Sequence, residues 1–367
     1  MAKRLVVCCD GTWNTPDSKI GAVPRTTNVT KLALSIASMD AEGTRQCTYY
    51  HPGVGTSRWE HIRGGAFGTG LSANVLDAYQ FLIDNYEDGD ELWFFGFSRG
   101  AYTARSVAGL VRNCGVLRQQ NLDRMHEAYA LYRSRAESPR GTASTLFRHA
   151  YSYEPRVRFI GVWDTVGALG IPVPTTRALQ KVVASFNHRF AFHDTDLSTH
   201  VDGAFHALAI DEKRKAFVPT LWAQQPHAGN QVLEQVWFSG VHSDVGGGYA
   251  ASGLSDIALL WMMAKAGSFG LHVLQPPTAS QGAQDVSPNE SAVVAVAPDP
   301  LGAIHESRKS FYRLFKPVAR PIGLSRTGHE LLSSSAATRH TKGPDDYHPD
   351  NLTTYLDENA GGTVVRV

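Results

Sequence analysis

The chain has 367 residues, 35 basic against 34 acidic, a net charge of +1, with 43% hydrophobic and 19% charged side chains. Such a composition is ordinary for a globular protein and suits a folded chain with a sizeable core. No block of like charge runs along it, so the basic stripe of a nucleic-acid binder is missing and no nucleic-acid partner is expected.

The first element is RLVVCC (4–9), a short unbroken apolar run of the kind that forms a strand buried on both faces. Cys8 and Cys9 then point to opposite faces, and with Cys47 and Cys114 they show no metal-binding spacing. Reduced thiols and a cytoplasmic setting are the default reading, with signal-less secretion left open. The N-terminal apolar run is about six residues, short of the roughly 7–15 of a signal peptide's core. No stretch reaches the 18 or more apolar residues of a membrane-spanning helix.

Asn28 stands where it can cap a helix carrying Val29, Leu32, Ala33, Ile36 and Met39, and QCTYY (46–50) reads as a second strand. Ser72 is positioned to cap a helix with Val75, Leu76, Tyr79, Leu82, Ile83 and Tyr86 on one side, with Gly89 beyond its end. A third strand over 91–96 precedes a helix to about residue 113, and another helix is expected near 122–134. VRFIGVW (157–163) and LEQVWFS (233–239) give strands four and five, and a helix over 255–267 is apolar nearly all round and must be buried.

Strands alternating with helices predict an α/β fold: a mostly parallel sheet with helices on both faces, in one domain spanning 1–367. Two segments break the pattern. Residues 168–200 form a candidate lid insertion. Its Leu179, Val183 and Phe186 either wall an acyl-chain site or belong to the core of an inserted helix. Residues 274–300, rich in Pro, Ser and Ala, read as a mobile surface loop.

In parallel sheets chemistry gathers at the carboxyl ends of the strands. Polar groups crowd the loops there: DGTWN (10–14), GFSRG (96–100), Asp164-Thr165-Val166-Gly167 and VHSDVGGGY (241–249). Gly96-Phe97-Ser98-Arg99-Gly100 between strand and helix is the nucleophile elbow of α/β-hydrolases, whose small flanking residues permit a strained turn that presents the serine. The plainer alternative is a serine that caps the helix. With Ser98 as nucleophile, His242 is the preferred base, with His206 and His348 as rivals. Asp164 follows a strand and precedes His242, the required order for the acid; Asp202 and Asp211 are alternatives, and Asp244 more simply shapes its own loop. The N–H of Arg99 and one from Gly11 or Thr12 are the candidate oxyanion donors, with Asp10 as a structural residue of that loop. Two other classes compete. One is a metal-assisted hydrolase built on Asp10, Asp164, His242 and Asp244, and the other is a non-catalytic binding module on a hydrolase scaffold.

Taken together, DGTWN, GVGT (53–56), GFSRGAYTAR (96–105), VWDTVGALG (162–170), FHALAIDEKR (205–214) and WFSGVHSDVGGGY (237–249) resemble the bacterial and fungal α/β-hydrolase domain of type VI secretion phospholipase effectors. The resemblance implies an α/β-hydrolase fold and a triad on Ser98, Asp164 and His242. It implies ester hydrolysis, with phospholipase activity in the effector members; the triad reading itself calls for no cofactor or metal. The expected substrate is a small-molecule or lipid ester, and peripheral membrane contact is compatible with it.

Overall fold

A computed structural model describes residues 2–11, 19–20, 23–24, 26–53, 66–134, 137–166, 196–276, 295–325, 327–343, 347–359 and 363–367. Residues 168–195 of the candidate lid (168–200) and 277–294 of the candidate loop (274–300) lie outside these residues, as do Leu179, Val183 and Phe186.

Eight strands make one parallel sheet: β1 (Arg4–Cys9), β2 (Gln46–His51), β3 (Glu91–Phe97), β4 (Val157–Trp163), β5 (Val201–Ala209), β6 (Val232–Phe238), β7 (Glu330–Ser333) and β8 (Val364–Val365). Their order is β8-β7-β6-β5-β4-β3-β1-β2, so the winding reverses at β1. A reversal of this kind opens a crevice at the carboxyl ends of the two strands beside it, here β1 and β3. Register brings the following loops level. Cys9 pairs with Gly96, Phe97 with Trp163, and Trp163 with Ala207. The residues just beyond, Asp10, Ser98 and Asp164, therefore emerge side by side.

Alternation along β1 divides the core. Leu5, Val7 and Cys9 face α2 (Ala66–Asn85) and α3 (Arg99–Cys114), where Val75, Tyr79, Leu82, Val107 and Val111 are buried. Val6 and Cys8 face the other layer, α1 (Asn28–Ser35) and the buried helix Gly253–Ser268, with Phe95, Phe159 and Met262. A third cluster joins β5, β6 and β7 to the helices Ser334–Lys342 and Asp350–Glu358 through Leu208, Trp237, Leu332, Ala336 and Leu352. All four cysteines are free. Among the described residues no helix is long and apolar enough to cross a membrane.

Several boundaries differ from the sequence expectation. Thr27, not Asn28, caps α1 by accepting from the Thr30 N–H. Asn28 is buried and its amide donates to the carbonyls of Val245 and Ser255, tying α1 to the loop that carries His242. Ser72 lies inside α2, which begins at Ala66, and β5, β7 and β8 add three strands to the five expected. β5 had no clear signal because Gly203 and His206 interrupt its apolar run. Gly203 has a packing cause: a Cβ there would come within 2.5 Å of the Phe269 ring.

The turn from β3 into α3 is closed by backbone contact. A Cβ on Gly96 would stand 2.5 Å from the Gly100 carbonyl oxygen, and one on Gly100 would overlap the carbonyls of Cys9 and Asp10. Backbone on both sides cannot yield as a side chain can. Gly100→Ala is expected to lower the unfolding free energy by at least about 1–3 kcal/mol in denaturant titrations. Gly267→Ala, where a Cβ meets nothing within 4 Å, should leave stability unchanged or raise it by about 0.4–1 kcal/mol.

Candidate active site

Ser98 sits at φ 58°, ψ −120°, a strained backbone for a residue with a Cβ, and its side chain makes no capping hydrogen bond to α3. The plain helix-cap reading therefore fails. Its hydroxyl instead stands 2.8 Å from His242 Nε2, and His242 Nδ1 stands 2.5 Å from Asp164 Oδ2. All three side chains are buried, Ser98 at 8% exposure. Asp164 follows β4 with φ 41°, fixed by its own N–H to the Ala207 carbonyl at 2.7 Å.

His242 opens a short helix, His242–Gly246, after the Gly240 turn at φ 109°. Gly246 presses this helix onto Phe97, whose ring a Cβ there would overlap. The imidazole is held between Phe97 (4.7 Å between ring centres) and Phe217 (4.9 Å). Burial lowers its pKa below the ordinary imidazole value, against the opposing pull of Asp164.

Arg320 is a residue of this site that the sequence did not reveal. Its guanidinium is 2% exposed and grips Asp164 with both arms, Nη1 to Oδ1 at 2.6 Å and Nη2 to Oδ2 at 2.9 Å. The same arms donate to the carbonyls of Ala209 (2.8 Å) and Phe217. The Ala209 N–H adds a bond to Asp164 Oδ1 at 3.1 Å. Burial pushes the Asp164 carboxyl up, but Arg320 and His242 outweigh it and hold it well below the usual carboxylate range. An ionised carboxylate only accepts, so Nδ1 of His242 carries the proton and Nε2 offers its lone pair to the Ser98 O–H.

The other candidates stand in separate networks. Asp10 is buried, and its Oδ2 accepts from Thr27 (2.6 Å), Thr30 (2.9 Å) and Tyr50 (2.7 Å). Its Oδ1 accepts from the Gly11 N–H at 2.6 Å. That bond corrects the expectation of Gly11 as an open oxyanion donor, because its N–H is engaged within its own loop. Thr12 lies outside the described residues. Arg99 occupies the first helical position after Ser98, where the backbone N–H has no partner within the helix.

His206 is fully buried; Nε2 accepts from the Thr165 N–H at 3.0 Å and Nδ1 lies 3.2 Å from Gln235 Oε1. Burial and Arg105 push its pKa down to about 3, so it braces the Asp164 turn as a neutral ring. His348 pairs with His340 at the surface. Asp244 accepts from the Val241 N–H and pairs with His305 at 2.6 Å, Asp211 accepts from Gly240 and Tyr347, and Asp202 pairs with Arg156 and Arg158. Among the described residues no three His, Cys, Asp or Glu side chains converge to hold a metal. Asp10, Asp164 and Asp244 each spend their oxygens on other partners. A cavity of about 510 Å³ lies along α3 beside Arg105 and Trp222, and none of Ser98, Asp164 and His242 lines it.

The family model described as "T6SS, Phospholipase effector Tle1-like, catalytic domain" matches residues 3–265. The uncharacterized protein YEL023C of Saccharomyces cerevisiae is 26% identical over 249 residues, covering 61% of this chain and 33% of its own length. The chain thus spans about a third of that curated relative. The crystal structure of an uncharacterized protein from Pseudomonas aeruginosa aligns with TM-score 0.50 and 19% identity, over 81% of this chain and 49% of that one, a likeness of fold. The Tle1 effector bound to the VgrG spike of the type 6 secretion system aligns with TM-score 0.38 and 19% identity, over 68% of this chain and 51% of that one.

Removing the Arg320 cation leaves Asp164 to act on the imidazole alone. In Arg320→Met the His242 pKa, followed by proton NMR, is expected to rise relative to wild type, with Arg320→Lys between the two. Because a buried charge loses its partner, Arg320→Met should also cost about 3–5 kcal/mol of stability. An unchanged imidazole titration in a folded Arg320→Met variant would show that the guanidinium does not act on the pair.

Proposed function

The chain belongs to the family of Tle1-like type VI secretion phospholipase effector catalytic domains, and from that footing we propose that it is a serine hydrolase of carboxylic esters, its substrates being lipid or phospholipid acyl esters. The observation that carries the reading is the continuous hydrogen-bonded chain from Ser98 Oγ through His242 to Asp164, set on a strained strand-to-helix turn.

In this mechanism His242 Nε2 takes the Ser98 proton as Oγ attacks the ester carbonyl. Asp164 keeps the imidazole in the tautomer that can accept that proton and stabilises the imidazolium that forms. Negative charge develops on the carbonyl oxygen at the start of α3, where the Arg99 N–H and the positive end of the helix dipole oppose it. A second donor is assigned to the 10–12 loop. Gly11 and Thr12 are its candidates there, and the Gly11 N–H could serve only by leaving Asp10. His242 then returns the proton to the leaving alcohol, and water, activated by the same imidazole, hydrolyses the acyl-enzyme.

The lowered imidazole pKa keeps His242 an unprotonated base to more acid pH than a free histidine. The acidic limb of kcat/KM is therefore expected below about pH 6.5.

The test pairs p-nitrophenyl esters from acetate to palmitate with phospholipid vesicles, and labels the protein with a fluorophosphonate. Wild type should hydrolyse esters and carry the label on Ser98, and Ser98→Ala should lose at least about 10⁴-fold in kcat with no label. Activity that survives Ser98→Ala would overturn the mechanism.

A further inference from the structure

Two segments far apart in sequence meet beside the site. One is Glu212–Thr220, which contains the 3₁₀ turn Lys215–Phe217; the other is His305–Arg320, with the 3₁₀ turn Ser310–Leu314. The Val318 N–H donates to the Lys213 carbonyl at 2.9 Å, and Ser307 Oγ donates to Glu212 Oε1 at 3.0 Å. The Arg214 guanidinium lies over the rings of Phe217 (3.5 Å) and Tyr312 (5.2 Å). Phe217 in turn packs on His242, so this surface is one aromatic layer from the imidazole.

The outer face is cationic. Lys213, Lys215, Lys309, Arg313 and Lys316 are all exposed, while Glu212 is buried and accepts from Nε and Nη2 of Arg214. The remaining acid, Glu306, is exposed and keeps its negative charge, with Oε1 accepting the Arg308 N–H, so these segments carry five exposed cations against one exposed carboxylate. Five exposed cations on one rim stand out in a chain whose net charge is +1. Among them Leu314 is 80% exposed between Arg313 and Lys316, and Val218 is 48% exposed. Cations around a protruding apolar side chain match an anionic lipid surface, where the charges meet headgroups and the leucine enters the acyl boundary. An acidic protein would satisfy the charges but leaves the leucine without a stated role.

We propose that this rim is the surface by which the protein docks on anionic lipid, placing the Ser98 site against the bilayer. The inference rests on the hydrolase reading for its purpose, though not for the binding it predicts.

The experiment co-sediments the full chain with phosphatidylcholine vesicles, with and without about a third phosphatidylglycerol. It compares wild type, Leu314→Asp and the triple variant Lys309→Glu/Arg313→Glu/Lys316→Glu, with p-nitrophenyl butyrate hydrolysis followed in parallel. Wild type should sediment with the anionic vesicles, release as salt rises, and remain in the supernatant when the vesicles are neutral. The triple variant should bind at least about 100-fold more weakly. Leu314→Asp should bind more weakly at every salt concentration. All variants should keep wild-type hydrolysis of the soluble ester, which also shows that they are folded. Equal binding of wild type and triple variant, or no binding of wild type to anionic vesicles, would overturn the proposal. Charge-dependent binding without hydrolysis of any ester would instead overturn the hydrolase reading and leave the docking surface standing.

Discussion

A carboxylate sealed from water must be compensated where it stands, and the geometry of this site follows from how Asp164 is compensated. At 0% exposure it is held by two bonds from Arg320, one from the Ala209 N–H and one from His242. Each partner is constrained in turn. Arg320 also needs the carbonyls of Ala209 and Phe217, and Phe217 is the ring that covers one face of His242. Moving any member strands a charge or a polar group in a dry interior, at a cost well above that of an ordinary contact. His206 contributes from behind. It is kept neutral by burial and Arg105, so it can accept the Thr165 N–H and hold the left-handed Asp164 turn.

Ser98 is fixed by a different kind of force. Its N–H donates to the Trp163 carbonyl at 3.0 Å, and at φ 58° it stands where α3 closes on the end of β1. Gly96 and Gly100 allow backbone to meet backbone there, and Gly246 allows the His242 helix to settle on Phe97. The Asp10 carboxylate, tied to Thr27, Thr30, Tyr50 and Gly11, stiffens the β1 side of the same crevice. Steric closure thus aims the hydroxyl, and electrostatic closure aims the imidazole. The two meet at a single 2.8 Å hydrogen bond.

What the sequence disclosed tracks how local each cause is. Buried strands such as 4–9 and 157–163, and the glycine-flanked turn at Ser98, are written in consecutive residues and were legible. So was the motif set that resembles the family to which the chain belongs. Ser98, Asp164 and His242 could be singled out because each ends or follows a recognisable strand. β5 was illegible because its glycine and histidine answer to Phe269, Thr165 and Gln235, partners from other elements. The start of α2 was misplaced because Ala66–Gly70 is rich in glycine, a poor helix former, and lacks the apolar period that begins at Leu71. Arg320, between Ala319 and Pro321, has nothing in its neighbourhood to set it apart from a surface arginine. Only the third dimension brings it to Asp164. The cationic rim was hidden in the same way, since the segments of Lys213 and Val318 are joined in space and not in sequence.

The segment from His305 to Arg320 lies beyond the residues the family model covers, yet it is bonded to the site at three points. His305 binds Asp244, Ser307 binds Glu212, and Arg320 binds Asp164. Asp244 accepts the Val241 N–H and Glu212 the His242 N–H, so two of these ties secure the loop of the base and the third secures the acid. A strap pinned in this way cannot slide without exposing or stranding buried charge. Its inner side chains hold the site, and its exposed lysines and arginine face solvent. Between these ties the chain carries Arg313, Leu314 and Lys316 on its exposed side. The same segment thus joins the buried groups around Asp164 and His242 to an exposed, mostly cationic surface.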